Sequence, residues 1–133
     1  MMRIAFRLLL AGLVLCTVFA QAGDASAPAG SDEAALKTMR EEIVKLIGEP
    51  RCVNLVHCRV LALGARPCGG PSEYLAYSSS TGKGDTLEAK AYEYSFLEEE
   101  VNRKKSAVSA CEILPMPRAA CIDGRCMLSS DRR

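Results

Sequence analysis

Six cysteines, at positions 52, 58, 68, 111, 121 and 126, constrain the fold of this chain more than any other feature. An even set behind an export-type leader is the pattern of three disulfides formed in an oxidising compartment. Oxidised sulfur is neither a nucleophile nor a metal ligand, so the same set argues against thiol catalysis. The spacing argues against a metal as well. Gaps of five, nine and four residues around a long break lack the C-x-x-C pairs of zinc sites.

The seventh cysteine, Cys16, lies in that leader. Arg3 and Arg7 give residues 1–22 a positive start, Leu8 to Ala20 form an apolar run, and Ala20-Gln21-Ala22 offers a small-x-small cleavage site. This is the layout of a signal peptide cut before Gly23. The run of 13 residues is short of the ~20 a membrane-spanning helix needs. A lipoprotein anchored through Cys16 is the alternative. Leu15 stands where a small residue normally precedes a lipidated cysteine, which disfavours it.

The leader carries two arginines and no acid, so its removal shifts the net charge from +1 to −1. No basic excess remains to suit a nucleic-acid backbone. Tryptophan is absent and aromatics are few, so the core must rest on Leu, Val, Ile and Ala, with disulfides supplementing it.

Residues 23–30 read as a flexible lead, 31–128 as one domain and 129–133 as a polar tail. Ser31 is the expected cap of a first helix, whose apolar face is Leu36, Met39, Ile43, Leu46 and Ile47, ended by Gly48 and Pro50. Alternation over His57–Leu63 predicts a strand with apolar residues on both faces, and Glu73–Ser78 a second. Asp85 and Glu88 have capping-box spacing at the start of a second helix, with Leu87, Ala91, Tyr94, Leu97 or Glu98, and Val101 as its stripe. Ser109–Leu114 reads as a short strand. Asp123-Gly124 marks a type I′ turn in a hairpin over Ala120–Met127, so Cys121 faces Cys126. A Cys121–Cys126 bridge is expected, leaving Cys52, Cys58, Cys68 and Cys111 in unknown pairing. Together these elements predict an α+β fold: a small, mostly antiparallel sheet with two helices on one face, stabilised by disulfides.

Catalytic signals are weak. His57 is the single histidine and adjoins a cysteine expected to be oxidised. Ser80 to Lys83 spell an S-x-x-K tetrad without its companion motifs, and Gly82-Lys83 lacks the rest of a phosphate loop. The loop Gly64-Ala65-Arg66-Pro67-Cys68-Gly69-Gly70-Pro71 is more distinctive. Its prolines and bridged cysteine restrict the backbone around Arg66, with Tyr74 and Tyr77 nearby, and Arg and Tyr are enriched where partners bind. The bland alternative is a tight turn that lets Cys68 close its bridge.

Cys58-Arg59, Gly64 to Pro71, Tyr74-Leu75, Tyr77-Ser78, Ser109-Ala110-Cys111 and the Cys121…Cys126 end resemble a group of small exported bacterial cysteine-rich proteins. Ala110 departs from the acidic residue expected there. The resemblance covers roughly residues 52–127 and implies an exported, disulfide-bonded domain without implying a reaction.

The expected molecule is therefore a periplasmic or secreted binding protein, not an enzyme, with no cofactor and no metal. Arg66, Pro67, Gly69, Gly70, Tyr74 and Tyr77 would meet a protein or cell-envelope partner. The alternatives are an inhibitor or immunity-type protein of an envelope hydrolase, or a small hydrolase using Ser78 or Ser79 with His57.

Overall fold

The computed structural model describes residues 29–108, 110–112 and 114–129. The leader, Cys16, the first six residues of the lead and positions 130–133 lie outside the described residues. The elements run α1 (Ala29–Ile47), β1 (Cys58–Leu63), β2 (Glu73–Ser78), α2 (Gly84–Lys104), β3 (Arg118–Ile122) and β4 (Arg125–Ser129). Short 3-10 turns at Leu55–His57 and Ser79–Thr81 lead into β1 and out of β2.

The α+β class holds, with a difference in the sheet. The strands form two separate antiparallel pairs, β1–β2 and β3–β4. Among the described residues of 109–114 there is no strand. Cys111, at φ 52°, has a left-handed backbone that extended pairing excludes.

β1 and β2 pair in the register Cys58↔Ser78 to Leu63↔Glu73. Strand alternation then divides the sheet into two faces. Leu61, Leu63, Leu75 and Tyr77 share the face that packs on Ile43 of α1 and Leu87, Ala91 and Tyr94 of α2. Cys58 has the other parity, and its sulfur is bonded to Cys126 in β4. Helices and hairpin thus use opposite faces of one small sheet, which explains why β1 carries apolar residues on both.

The helix stripes follow from 3.6-residue periodicity. Ile43, Leu87, Ala91, Tyr94 and Val101 are buried, while Leu36, Met39, Leu46 and Ile47 pack at the core's margin. The helices are antiparallel. Lys104 reaches Asp32 at 2.8 Å, Lys105 reaches Glu33, and Lys90 reaches Glu42 at 3.0 Å. Acids at the start of α1 and bases at the end of α2 also complement the helix dipoles. Arg40 ties α1 to β2 through two bonds to the Glu73 carboxylate, at 2.6 and 2.9 Å. Exposed pairs of this kind contribute little each, so they set orientation more than stability.

The expected helix starts shift. α1 begins at Ala29, so Ser31 lies inside its first turn and the last two residues of the lead are helical. α2 begins at Gly84 after Lys83, with no side-chain cap, and Asp85 contributes charge to the first turn instead. Ser129 belongs to β4 rather than to a tail.

The disulfides are Cys52–Cys121, Cys58–Cys126 and Cys68–Cys111. The expected Cys121–Cys126 bridge is overturned, although the hairpin that motivated it is present. Cys121 does pair with Cys126, and Asp123 and Gly124 have the positive φ values, 49° and 73°, of a type I′ turn. Directly opposed residues present their side chains to the same face, so both sulfurs address whatever covers that face. The covering segment is 50–58. Cys126 N donates to Pro50 O at 2.7 Å and Cys52 N to Gly124 O at 2.9 Å, which seats the segment along the hairpin and brings Cys52 and Cys58 into reach. The Sγ atoms of Cys52, Cys58 and Cys126 lie within 4.8 Å of one another.

Tyr77 and Tyr94 are pushed above the ordinary tyrosine value by burial, reinforced at Tyr77 by Glu88 and at Tyr94 by Glu98 and Glu73. Because the folded values exceed the unfolded one, their stabilising contribution is complete below pH ~10 and is lost as pH rises through the folded values. Denaturant midpoints measured against pH are expected to fall above that point in the wild type. The fall should be blunted in Tyr77→Phe/Tyr94→Phe; an unchanged profile in the double variant would contradict the assignment.

Candidate functional site

A hollow of about 680 Å³ lies between the 64–72 loop and the C-terminal half of α2. Arg66, Pro67 and Gly70 line it from the loop, and Phe96, Asn102 and Arg103 from the helix. Phe96 is 58% exposed, and Glu99 and Glu100 add acidic groups to the same wall. Arg103 pairs with Glu100 at 2.6 Å, so the wall carries both signs of charge.

The loop owes its shape to one carboxylate. Glu98 Oε2 accepts from Ala65 N at 2.7 Å and from Ser72 Oγ at 2.6 Å, gripping both ends of the loop at once. Ser95 Oγ accepts from Gly64 N at 3.0 Å, and Asn102 Nδ2 donates to Ala65 O at 2.6 Å. Ser95, Glu98 and Asn102 are spaced three and four residues apart, which puts them on one face of α2. Gly64 is required here twice over. Its φ is +86°, and a Cβ would collide with the Glu98 carboxylate and the Ser72 side chain.

Within the loop, Gly69 N donates to Arg66 O at 2.8 Å and Arg66 N to Gly70 O at 2.9 Å. Gly69 and Gly70 take the positive φ values, 94° and 79°, that this reversal requires. The tip is joined to the segment after α2 by Cys68–Cys111 and by Arg66 Nη1, which donates to Glu112 O at 2.6 Å.

Arg66, Pro67, Gly69 and Gly70 therefore come together at one hollow. The two tyrosines do not join them. Tyr77 is 4% exposed, sits in the core and donates to Glu88 at 3.3 Å. It is corrected from a contact residue to a core residue. Tyr74 is half-buried on the other face of β2, its hydroxyl 3.4 Å from Leu114 O. Their odd separation in a strand already places them on opposite faces. Phe96, Glu98 and Asn102 were missed, although Glu98 occupies a stripe position, where a carboxylate signals a buried polar task.

The serine–histidine set is not assembled. Ser79 Oγ donates to the backbone oxygen of His57 at 3.1 Å, and Ser78 Oγ bonds Ser80 Oγ at 2.7 Å. Among the described residues no hydrogen bond joins the imidazole to a serine hydroxyl.

No protein-family model, curated protein sequence or solved structure matches this chain.

Replacing Glu98 by Ala leaves the Ala65 amide and Ser72 hydroxyl without their acceptor. The expected cost is roughly 1–3 kcal/mol, with faster hydrogen exchange at Ala65. Glu98→Gln, which keeps an acceptor oxygen, should lose less. Equal effects of the two would show that Glu98 only fills space.

Proposed function

We propose that this chain is an exported, non-catalytic binding protein that takes a protruding segment of a protein partner into the hollow beside the 64–72 loop. The observation that carries this reading is the Glu98 anchorage. A loop already fixed by a carboxylate, a serine, an asparagine and a disulfide loses little freedom when a partner binds, and that cost otherwise subtracts from affinity. Phe96 supplies an exposed aromatic anchor, and Arg66, Arg103, Glu99 and Glu100 supply charges of both signs around it. That is the anatomy of an apolar centre with a polar rim.

The hydrolase alternative gains no support, because Ser79 commits its proton to a backbone oxygen. An inhibitor or immunity role is the same binding reading with an envelope hydrolase as partner. Periplasmic or extracellular residence fits three disulfides. No helix among the described residues is long and apolar enough to cross a membrane. The resemblance to small exported cysteine-rich proteins accords with this placement.

The test is crosslinked capture of envelope proteins by wild type, Phe96→Ser and Arg66→Ala, each shown by circular dichroism to be folded. Expected is at least one protein whose capture falls roughly tenfold or more when the aromatic anchor is removed. Identical capture by all three would overturn the assignment of the hollow.

A further inference from the structure

The loop between Cys52 and Cys58 exposes more aliphatic surface than a free-standing turn needs. Val53, Leu55 and Val56 are 92%, 60% and 63% exposed. Both flanking cysteines are bonded to the β3–β4 hairpin, so these side chains are clamped outward and cannot retreat into the core. Its backbone polar groups are satisfied from within. Asn54 Oδ1 accepts from Val56 N at 3.1 Å, Asn54 O from His57 N at 3.3 Å, and Leu55 O from Cys58 N. Arg59 Nη1 donates to Val56 O at 2.8 Å and to Cys58 O at 3.1 Å. A segment that enters a low-polarity layer must satisfy such groups without water, and much of this loop's backbone already does.

Arg51 and Arg125 share the single Glu49 carboxylate, which leaves one positive charge in excess in that trio, and Arg59 brings a further guanidinium to the base of the loop. Beside Val53 lies a hollow of about 410 Å³ lined by Arg51, His57, Ser80 and Gly124. A guanidinium, an imidazole and a hydroxyl next to an aliphatic tip match a phosphate headgroup next to its acyl chains.

We propose that this end of the molecule docks on an anionic phospholipid bilayer. Val53, Leu55 and Val56 enter the headgroup–acyl boundary, and the hollow beside Arg51 takes a headgroup phosphate. Such docking is peripheral and combines buried apolar area with attraction to anionic lipid. It uses the start of β1, whereas the 64–72 loop leaves the strand's far end, six residues away. The two surfaces are separate, and either can fail without the other.

The chain contains no tryptophan, so one introduced at position 55 is a unique reporter. Protein recovered after export would carry Leu55→Trp or, as a control on exposed α2, Tyr92→Trp. Each would be mixed with vesicles of phosphatidylcholine alone or with a quarter phosphatidylglycerol. Expected is a blue shift and quenching by brominated acyl chains for Leu55→Trp with anionic vesicles only, and none for Tyr92→Trp. In the otherwise native chain, Leu55→Ser should weaken vesicle partition roughly tenfold. Four outcomes would overturn the proposal. They are no shift at position 55, equal shifts at both positions, a shift with inorganic phosphate alone, and a lipid-free shift that grows with protein concentration, which would mark self-association.

Discussion

Two neighbouring disulfides, Cys52–Cys121 and Cys58–Cys126, are the constraint on which the rest of this structure depends. Each closes a long loop, with sequence separations of 69 and 68. In the chain-entropy description the first to form stabilises by on the order of 4 kcal/mol. The second then closes only the small ring made of residues 52–58 and 121–126, and adds about 3 kcal/mol rather than repeating the first. That sum matters in a domain where, among the described residues, the large side chains that are fully buried are Ile43, Leu63 and Leu87. An isolated two-stranded hairpin is marginal in water, and β3–β4 is tied through Cys58 to a sheet backed by two helices and through Cys52 to the segment that leads into it.

The same bonds decide which surfaces are available. β1 receives the clamped 52–58 loop at one end and releases the 64–72 loop at the other. Glu98 holds the second loop from α2 through bonds to both of its ends, and Cys68–Cys111 fixes its tip. Both loops are thus held in place, one by its two flanking disulfides and the other by a carboxylate together with the third disulfide. This places the rigid segments of the molecule at the two ends of a six-residue strand, while the core that supports them is made by the helices on one face.

Much of the framework was legible because it is local. The alternation in residues 57–63 and 73–78, the stripes of both helices and the Asp123-Gly124 turn all report short-range periodicity or φ preference. The pairing of the hairpin cysteines was not, because it depends on which segment covers the hairpin's face, and that is decided by Pro50 and Cys52 bonding to β4 and the turn. The helix caps failed for a related reason: Ser31 and Asp85 have the right chemistry, but the helices extend past them. At the candidate site, glycine and proline spacing revealed the loop. Its dependence on Ser95, Glu98 and Asn102 lies some thirty residues away in sequence and leaves only a faint mark, a carboxylate in an otherwise apolar stripe. Tyr77 was misplaced although strand parity already separated it from Tyr74.

The most direct measurement is a tryptic map of the unreduced protein, folded under oxidising conditions. Cleavage after Arg51, Arg59, Arg118, Arg125 and Arg132 separates residues 52–59, 119–125 and 126–132, with Cys121 and Cys126 on different fragments. If the 52–58 loop is tied at both ends to the hairpin, these three fragments travel as one mass until reduced. A two-chain species joining only 119–125 to 126–132, with 52–59 released from it, would show a Cys121–Cys126 bridge and contradict the clamp.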